Sequence, residues 1–217
     1  MKKHLLQLSL STLLYTVLMV FSAKAQITPN NNIIYVTENA TGNGSSWGNP
    51  ASLATALQWA QANRGSNPVL WDANNPLKIY VAVGTYKPSV NPSTNGTVTG
   101  RNATFLMVKN VQLYGGFAGT ENSLADRDLS ITANVSILSG DIDNNDDPDG
   151  TIQGDNAYHV VLSAGDVGKA LLDGFTITGG NANGSSCTTA LYGAIKKQTT
   201  APIIFITAPV RRNMPTV

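Results

Sequence analysis

Five aspartates lie within nine residues of the segment 141-DIDNNDDPDG-150 and are the densest set of side chains that could do chemistry. Calcium takes six to eight oxygen ligands, and a flexible loop of carboxylates and carbonyls can supply them. The spacing is not that of an EF-hand, because counting from either Asp141 or Asp143 no glycine stands at the sixth position and no glutamate at the twelfth. A solvated turn would use the same residue types. The sequence therefore leaves two hypotheses open, a solvated insertion and a calcium site with ligands from Asp141, Asp143, Asp146, Asp147 and Asp149.

Nucleophilic and redox chemistry have few candidate residues. Cys187 is the only cysteine, so no disulfide can form within the chain. His159 stands in an apolar run, and nothing near Cys187 resembles a site that would activate a thiol. No phosphate-binding loop, dinucleotide fingerprint, His/Cys metal spacing or Ser/His/Asp set occurs. We predict that both residues are structural, and the sequence indicates no cofactor apart from the calcium of the hypothesis above.

The amino terminus has the order of a secretory signal peptide. Lys2 and Lys3 precede an apolar stretch over 5–21, and Ala23-Lys24-Ala25 forms a small-x-small cleavage site. Polar residues interrupt the apolar stretch, which falls short of the roughly 20 apolar residues of a membrane span. We predict cleavage after Ala25, no membrane span in the mature chain, and a secreted or cell-surface location.

Charge is distributed unevenly along the chain. Residues 26–186 hold seven basic and thirteen acidic residues, a net charge of −6, whereas residues 187–217 carry +4. Binding to nucleic acid requires clustered Lys and Arg that displace counterions from phosphate. The acidic body therefore argues against nucleic-acid partners.

One helix and several short strands are predicted. Leu53, Ala56, Leu57 and Ala60 follow the helical period, with Asn49 or Ser52 as the N-cap, Pro50 in the first turn and Gly65 past the end. Beyond Lys78 the period changes to two, in runs bounded by Gly, Asn and Asp, and these runs predict strands. They are 79–86, 104–117, 135–142, 158–165 and 170–180.

Spacing between the runs favours stacked coils. Leu113 and Ile137 stand 24 residues apart in strands taken as equivalent, and 111-VQLYGGF-117 is echoed by 171-LLDGFTITGG-180. Strands without intervening helices predict coils that bury their side chains against their neighbours. An antiparallel sandwich would also show short strands and turns.

The order of the motifs resembles one family. The fragments 35-YVTENATGNGSSWGNP-50, 79-IYVAVGTYKP-88, 113-LYGGFAGTE-121, 137-ILSGDI-142 and 172-LDGFTITGGNA-182 are similar to bacterial surface proteins with pectin-lyase-like parallel β-helices, related to polymorphic outer-membrane-protein repeats. The resemblance covers about residues 33 to 184 and only the amino-terminal part of such proteins. It implies an all-β fold, a right-handed parallel β-helix with one N-terminal capping α-helix.

In the family the helix shields the open end of the first coil, and Trp47 and Trp59 suit that packing here. An aromatic at this place could instead hold a sugar ring, so the candidate ligand-contacting residues are Trp47, Arg101 and Arg127. Arg127 stands beside Asp126 and Asp128, which predicts a local ion pair. Gly115, Gly116, Gly179 and Gly180 are expected at corners that need a positive φ or close backbone approach.

The resemblance ends near residue 184. The segment 187–217 has no acidic residue and one glycine, and we interpret it as a frameshifted or truncated remnant, with a genuine terminal cap as the alternative. The predicted organisation is a signal peptide at 1–25, a cap and first coils at 26–186, and an atypical basic tail at 187–217.

Three functional hypotheses follow, because this fold hosts many activities. The first is a noncatalytic secreted or surface protein for adhesion or for binding polysaccharides and matrix glycans. The second is a fragment of a polysaccharide lyase or glycoside hydrolase, which would need groups brought together on successive coils. The third is a nonfunctional truncated product whose open strand edge would favour aggregation.

Overall fold

The computed structural model describes residues 25–183 and a strand at 204–206. Residues 1–24 of the predicted signal peptide, Cys187 and most of the basic tail lie outside the described residues. The strands are β1 (Ile33–Val36), β2 (Leu77–Ala82), β3 (Gly84–Tyr86), β4 (Phe105–Leu106), β5 (Val111–Phe117), β6 (Ser136–Ser139), β7 (Val161–Ser163), β8 (Leu171–Asp173), β9 (Phe175–Thr178) and β10 (Ile204–Ile206), and the helix is α1 (Leu53–Asn63).

The strands form parallel sheets that the chain visits in a recurring order. The first sheet is β1-β2-β5-β8, the second is β3-β6-β9, and the third is β10-β7-β4. All pairs are parallel except β10 with β7. From β2 onward the chain passes through the first, second and third sheets twice in that order and then enters the first and second again. The strand runs predicted from sequence are confirmed, and the antiparallel sandwich is wrong.

Register in the first sheet builds an aliphatic ladder. Ile34 is paired with Ile79, Ile79 with Leu113, and Leu113 with Leu172. The first three are fully buried in one core cluster. Because side chains alternate across a strand, the next register position points to the opposite face. There Tyr35, Tyr80 and Tyr114 follow one another with T-shaped ring contacts.

The helix begins and ends close to its predicted bounds. Ser52 is the N-cap, and its hydroxyl accepts a hydrogen bond from the Thr55 backbone N–H at 3.1 Å. Pro50 therefore precedes the cap instead of lying in the first turn. Leu53, Ala56, Leu57 and Ala60 are buried in the same cluster as the aliphatic ladder, as the pattern predicted.

Two details of the predicted repeat are wrong. Leu113 lies in the first sheet and Ile137 in the second, so they are not equivalent. The true partners of Leu113 are Ile79 and Leu172, 34 and 59 residues away. Loops of different length separate the strands, so the paired strands of the described region show no period in the low twenties. The echo between 111–117 and 171–180 is confirmed, because β5 pairs with β8.

Three of the four predicted corner glycines have the expected backbone geometry; the exception is Gly180, where φ is not positive and a Cβ would meet only the Val160 side chain, at 3.0 Å. Gly116 and Gly179 have φ of 84° and 67°. A Cβ on Gly115 would lie 2.5 Å from the Gly174 carbonyl oxygen. Within residues 25–183, no helix is long and apolar enough to cross a bilayer.

Candidate functional site

A cleft of about 440 Å³ opens where the amino end of α1 faces β3 and three loops, and we call it the Glu38 cleft. Its volume falls within the about 300–1,000 Å³ of typical small-ligand sites. Hydroxyl and amide side chains make up most of its polar wall, together with one carboxylate and one ammonium group. The lining residues are Thr37, Glu38, Asn39, Ser52, Leu53, Ala54, Thr85, Tyr86, Lys87, Ser89 and Asn144.

Glu38 reaches the cleft because β1 ends two residues before it. One of its carboxylate oxygens accepts a hydrogen bond from the Thr85 backbone N–H at 3.2 Å. Gly84 leaves room for this approach, since its φ is +148° and a Cβ there would lie 2.9 Å from the same oxygen. The start of β3 thus holds the carboxylate in place.

Lys87 enters from the other end of β3. Its Nζ donates to the Ile142 carbonyl oxygen at 3.3 Å and to Asn144 Oδ1 at 3.1 Å. Both acceptors belong to the loop that follows β6. This loop therefore helps to build the cleft through its amide and carbonyl groups.

Tyr86, which immediately precedes Lys87, is buried. Its hydroxyl donates to the Ala82 carbonyl oxygen at 2.9 Å, which engages its proton within the fold. Burial, with a smaller contribution from the Glu38 charge, raises the pKa of Tyr86 well above its ordinary value. Tyr86 therefore supplies a neutral wall.

The aspartates of 141–149 form hydrogen bonds within their own loop. Asp146 accepts from the Gln153 N–H and from Asn156 Nδ2, both at 2.8 Å, and Asp143 accepts from Asn145 Nδ2 at 2.9 Å. Asp141 accepts from the Asn145 N–H at 3.1 Å. The remaining two, Asp147 and Asp149, accept from the Gln153 side chain and the Thr151 N–H.

Residues 25–183 and 204–206 contain no group of three or more His, Cys, Asp or Glu side chains placed to hold a metal ion. The loop carboxylates instead accept bonds that fix the turn, as the solvated-insertion hypothesis predicts for Asp and Asn. Calcium binding by this loop stays a prediction.

Trp47 lies away from α1, in an aromatic cluster on the outward face of the first sheet. Its ring contacts Tyr35 at a centroid distance of 4.9 Å and Phe117 at 5.6 Å. Its Nε1 donates to the Glu121 carbonyl oxygen at 2.8 Å. The prediction that Trp47 packs with the helix is wrong; Trp59, whose ring is 5.6 Å from Trp71, does pack against the main core.

Arg101 connects three parts of the chain. Its Nε donates to the Asn156 carbonyl oxygen at 2.8 Å, and one Nη donates to the Asn181 carbonyl oxygen at 3.0 Å and to the Asn183 side chain. The guanidinium also stacks over the Tyr158 ring at 4.2 Å. Arg101 therefore has a structural role, and it lies outside the Glu38 cleft.

Arg127 forms a long-range ion pair, so the predicted local pair with Asp126 and Asp128 is wrong. One Nη donates to Asp173 Oδ2 at 2.7 Å and the other to the Gly115 carbonyl oxygen at 2.9 Å. Asp126 caps its own short 3-10 helix, and Asp128 accepts from Ser130. Both neighbouring carboxylates are thus engaged locally, and Arg127 turns towards β8.

His159 lies outside the cleft, and burial lowers its pKa below the ordinary value. The structure brings none of Trp47, Arg101 and Arg127 to the Glu38 cleft. Sequence reasoning missed Glu38 and Lys87, which are 49 residues apart and belong to no known motif. The available signal was their position, one just after β1 and the other just after β3.

Comparisons of the chain with protein-family models, with curated proteins and with solved structures found no match.

Proposed function

We propose that this chain is an exported surface protein that binds glycans without catalysing a reaction. Residues 1–25 act as a signal peptide cleaved after Ala25, and residues 26–186 form the cap and first coils of a right-handed parallel β-helix. The recurring order of three parallel sheets supports this architecture. The apolar face of α1, buried with the first-sheet ladder, supports its role as the cap.

The observation that carries the proposed function is the Glu38 cleft. Sugars present many hydroxyls that both donate and accept hydrogen bonds, and the cleft wall has Thr, Ser and Asn side chains beside one acceptor-only and one donor-only charged group. The β3 backbone holds the Glu38 carboxylate, and the loop after β6 holds the Lys87 ammonium group. Polar groups placed on rigid elements are what a binding site requires.

Immobilised glycans test this function. The purified chain is applied to a panel of neutral and acidic polysaccharides, and in parallel the soluble polymers are assayed for new reducing or unsaturated ends. We expect retention on at least one polymer class with no release of sugar ends. Retention on none would refute glycan binding, and release of sugar ends would favour the hypothesis of a carbohydrate-active enzyme.

A further inference from the structure

The charges of the Glu38 cleft indicate which glycans it accepts, an inference that rests on the proposed function. Glu38 and Lys87 both line the cleft, yet they form no ion pair with each other. Among the described residues, the ion pairs are Lys109 with Asp166 and Arg127 with Asp173. The two cleft charges are instead held separately, by the β3 backbone and by the loop after β6.

Each charged group retains hydrogen-bonding capacity. An ammonium group has three donors, and two of those of Lys87 are used within the protein. A carboxylate has about four acceptor positions, and Glu38 accepts from the Thr85 N–H and from Asn39 Nδ2. One donor and about two acceptor positions thus remain, and bonds to charged groups are stronger than neutral ones.

Electrostatics disfavours an acidic ligand. The formal charges of Glu38 and Lys87 cancel inside the cleft, and residues 26–186 carry a net charge of −6. A uronate would be attracted by Lys87 and by the amino end of α1, but it would be repelled by Glu38 and by the body as a whole. A neutral hydroxyl has no such penalty and can donate to Glu38 or accept from Lys87.

We propose that the Glu38 cleft selects an uncharged saccharide unit, whose hydroxyls donate to the Glu38 carboxylate and accept from the Lys87 ammonium group. Glu38 and Lys87 are then the residues that determine specificity. Thr37, Ser52 and Asn144 supply further hydroxyl and amide contacts at the same wall.

The test measures binding of the full chain to immobilised neutral and uronic-acid glycans at low salt. We compare Glu38→Gln and Lys87→Met with charge-matched controls, Asp155→Asn and Lys169→Met, which change exposed residues outside the cleft. We expect at least tenfold tighter binding to neutral glycans than to acidic ones. Each cleft variant should lose about tenfold of that affinity, and the controls should retain it.

The outcomes separate this inference from the function on which it rests. Equal or tighter binding to uronic-acid glycans would overturn the neutral selection while leaving glycan binding in place. Neutral binding that neither cleft variant weakens would place the site elsewhere and also overturn the inference. Binding to no glycan of either class would refute the proposed function itself. Thermal melting of each variant checks that an affinity loss is not a loss of fold.

Discussion

At the residue scale, the Glu38 cleft depends on a backbone conformation that only one residue type adopts easily. Gly84 begins β3 with a φ of +148°, and its missing Cβ leaves room for the Glu38 carboxylate. Side chains disfavour this region of backbone space because Cβ clashes with neighbouring backbone atoms. One glycine thereby links the start of the second sheet to the position of the cleft carboxylate.

Replacing Gly84 with Ala should destabilise the chain and displace Glu38. The φ of +148°, which is strained for any residue with a Cβ, predicts a loss of about 1–3 kcal/mol in the free energy of unfolding, and the new Cβ would push the Glu38 carboxylate aside. Urea denaturation measures it. Gly65→Ala is the matched control, because a Cβ there meets no atom within 4 Å, and it should change stability little. Equal effects of the two substitutions would contradict the strain at position 84.

Glu121 should make the stability of the chain depend on acid pH. Burial alone would raise its pKa, but hydrogen bonds from the N–H groups of Ala118, Gly119 and Thr120 outweigh burial and lower the pKa below its ordinary 4.5. Because the pKa of Glu121 is lower in the folded chain than in the unfolded chain, the ionised carboxylate stabilises the fold at pH values above the unfolded pKa. This contribution is lost as the pH falls through the folded pKa.

The expected result is that wild type exceeds Glu121→Gln in free energy of unfolding at pH 7, and that the difference shrinks below about pH 4.5. Urea titrations at a series of pH values measure it. A difference that stays constant from pH 7 down to pH 3 would show that Glu121 does not act through its charge.

At the element scale, Arg127 ties the loop after β5 to β8. Its side chain is only 10% exposed and bonds both Asp173 and the Gly115 carbonyl oxygen. A charge-assisted pair with one buried partner resists competition from water more than an exposed pair does. The loop that covers the outward aromatic cluster is therefore fixed to the sheet by this residue.

Arg127→Met should cost about 1–3 kcal/mol, because Asp173 and the carbonyl oxygen of Gly115 both lose a charged donor. Lys109→Met is the control, since the Lys109–Asp166 pair is 49% and 63% exposed, and it should cost less than about 1 kcal/mol. Chemical denaturation compares the two. A larger loss from the lysine would contradict the structural role of Arg127.

The aliphatic ladder should dominate the stability of the first sheet. Leu113 is fully buried between Ile79 and Leu172, so Leu113→Ala should cost about 2–5 kcal/mol through lost burial and a cavity. Leu129→Ala, at a side chain that is 55% exposed, should change stability by about 0.5 kcal/mol or less. Similar losses at the two positions would contradict the ladder as the main core.

Local sequence patterns predicted the helix and the strands well, but they predicted poorly which strands pair with each other. The period of Leu53 to Ala60 and the Ser52 cap fix α1, because both act within one turn. The strand partners of Leu113 depend on the lengths of the loops between strands. The alternation of polar and apolar residues within a strand does not encode those lengths. The same holds for Arg127, whose sequence neighbours Asp126 and Asp128 are engaged by local backbone groups. The Glu38 cleft likewise joins loops that no local signal connects.

At the scale of the whole molecule, the chain runs through three sheets in a repeated order, and the Glu38 cleft, whose two formal charges cancel, lies among the loops between them. The stack supplies rigidity, and the loops between strands supply the polar wall. The edges of β8 and β9 are partly exposed, and Leu172, Phe175 and Ile177 are only partly buried against the core. The Glu38 cleft, the proposed glycan site, lies near α1, at the other end of the first sheet.

A crystal structure of the full chain with a bound neutral oligosaccharide tests the central claim most directly. We predict sugar density in the Glu38 cleft, with hydroxyls within hydrogen-bond distance of the Glu38 carboxylate and Lys87 Nζ, above parallel strands stacked in the order β1-β2-β5-β8. Sugar bound at Trp47 or elsewhere on the outward face, with the Glu38 cleft empty, would contradict it.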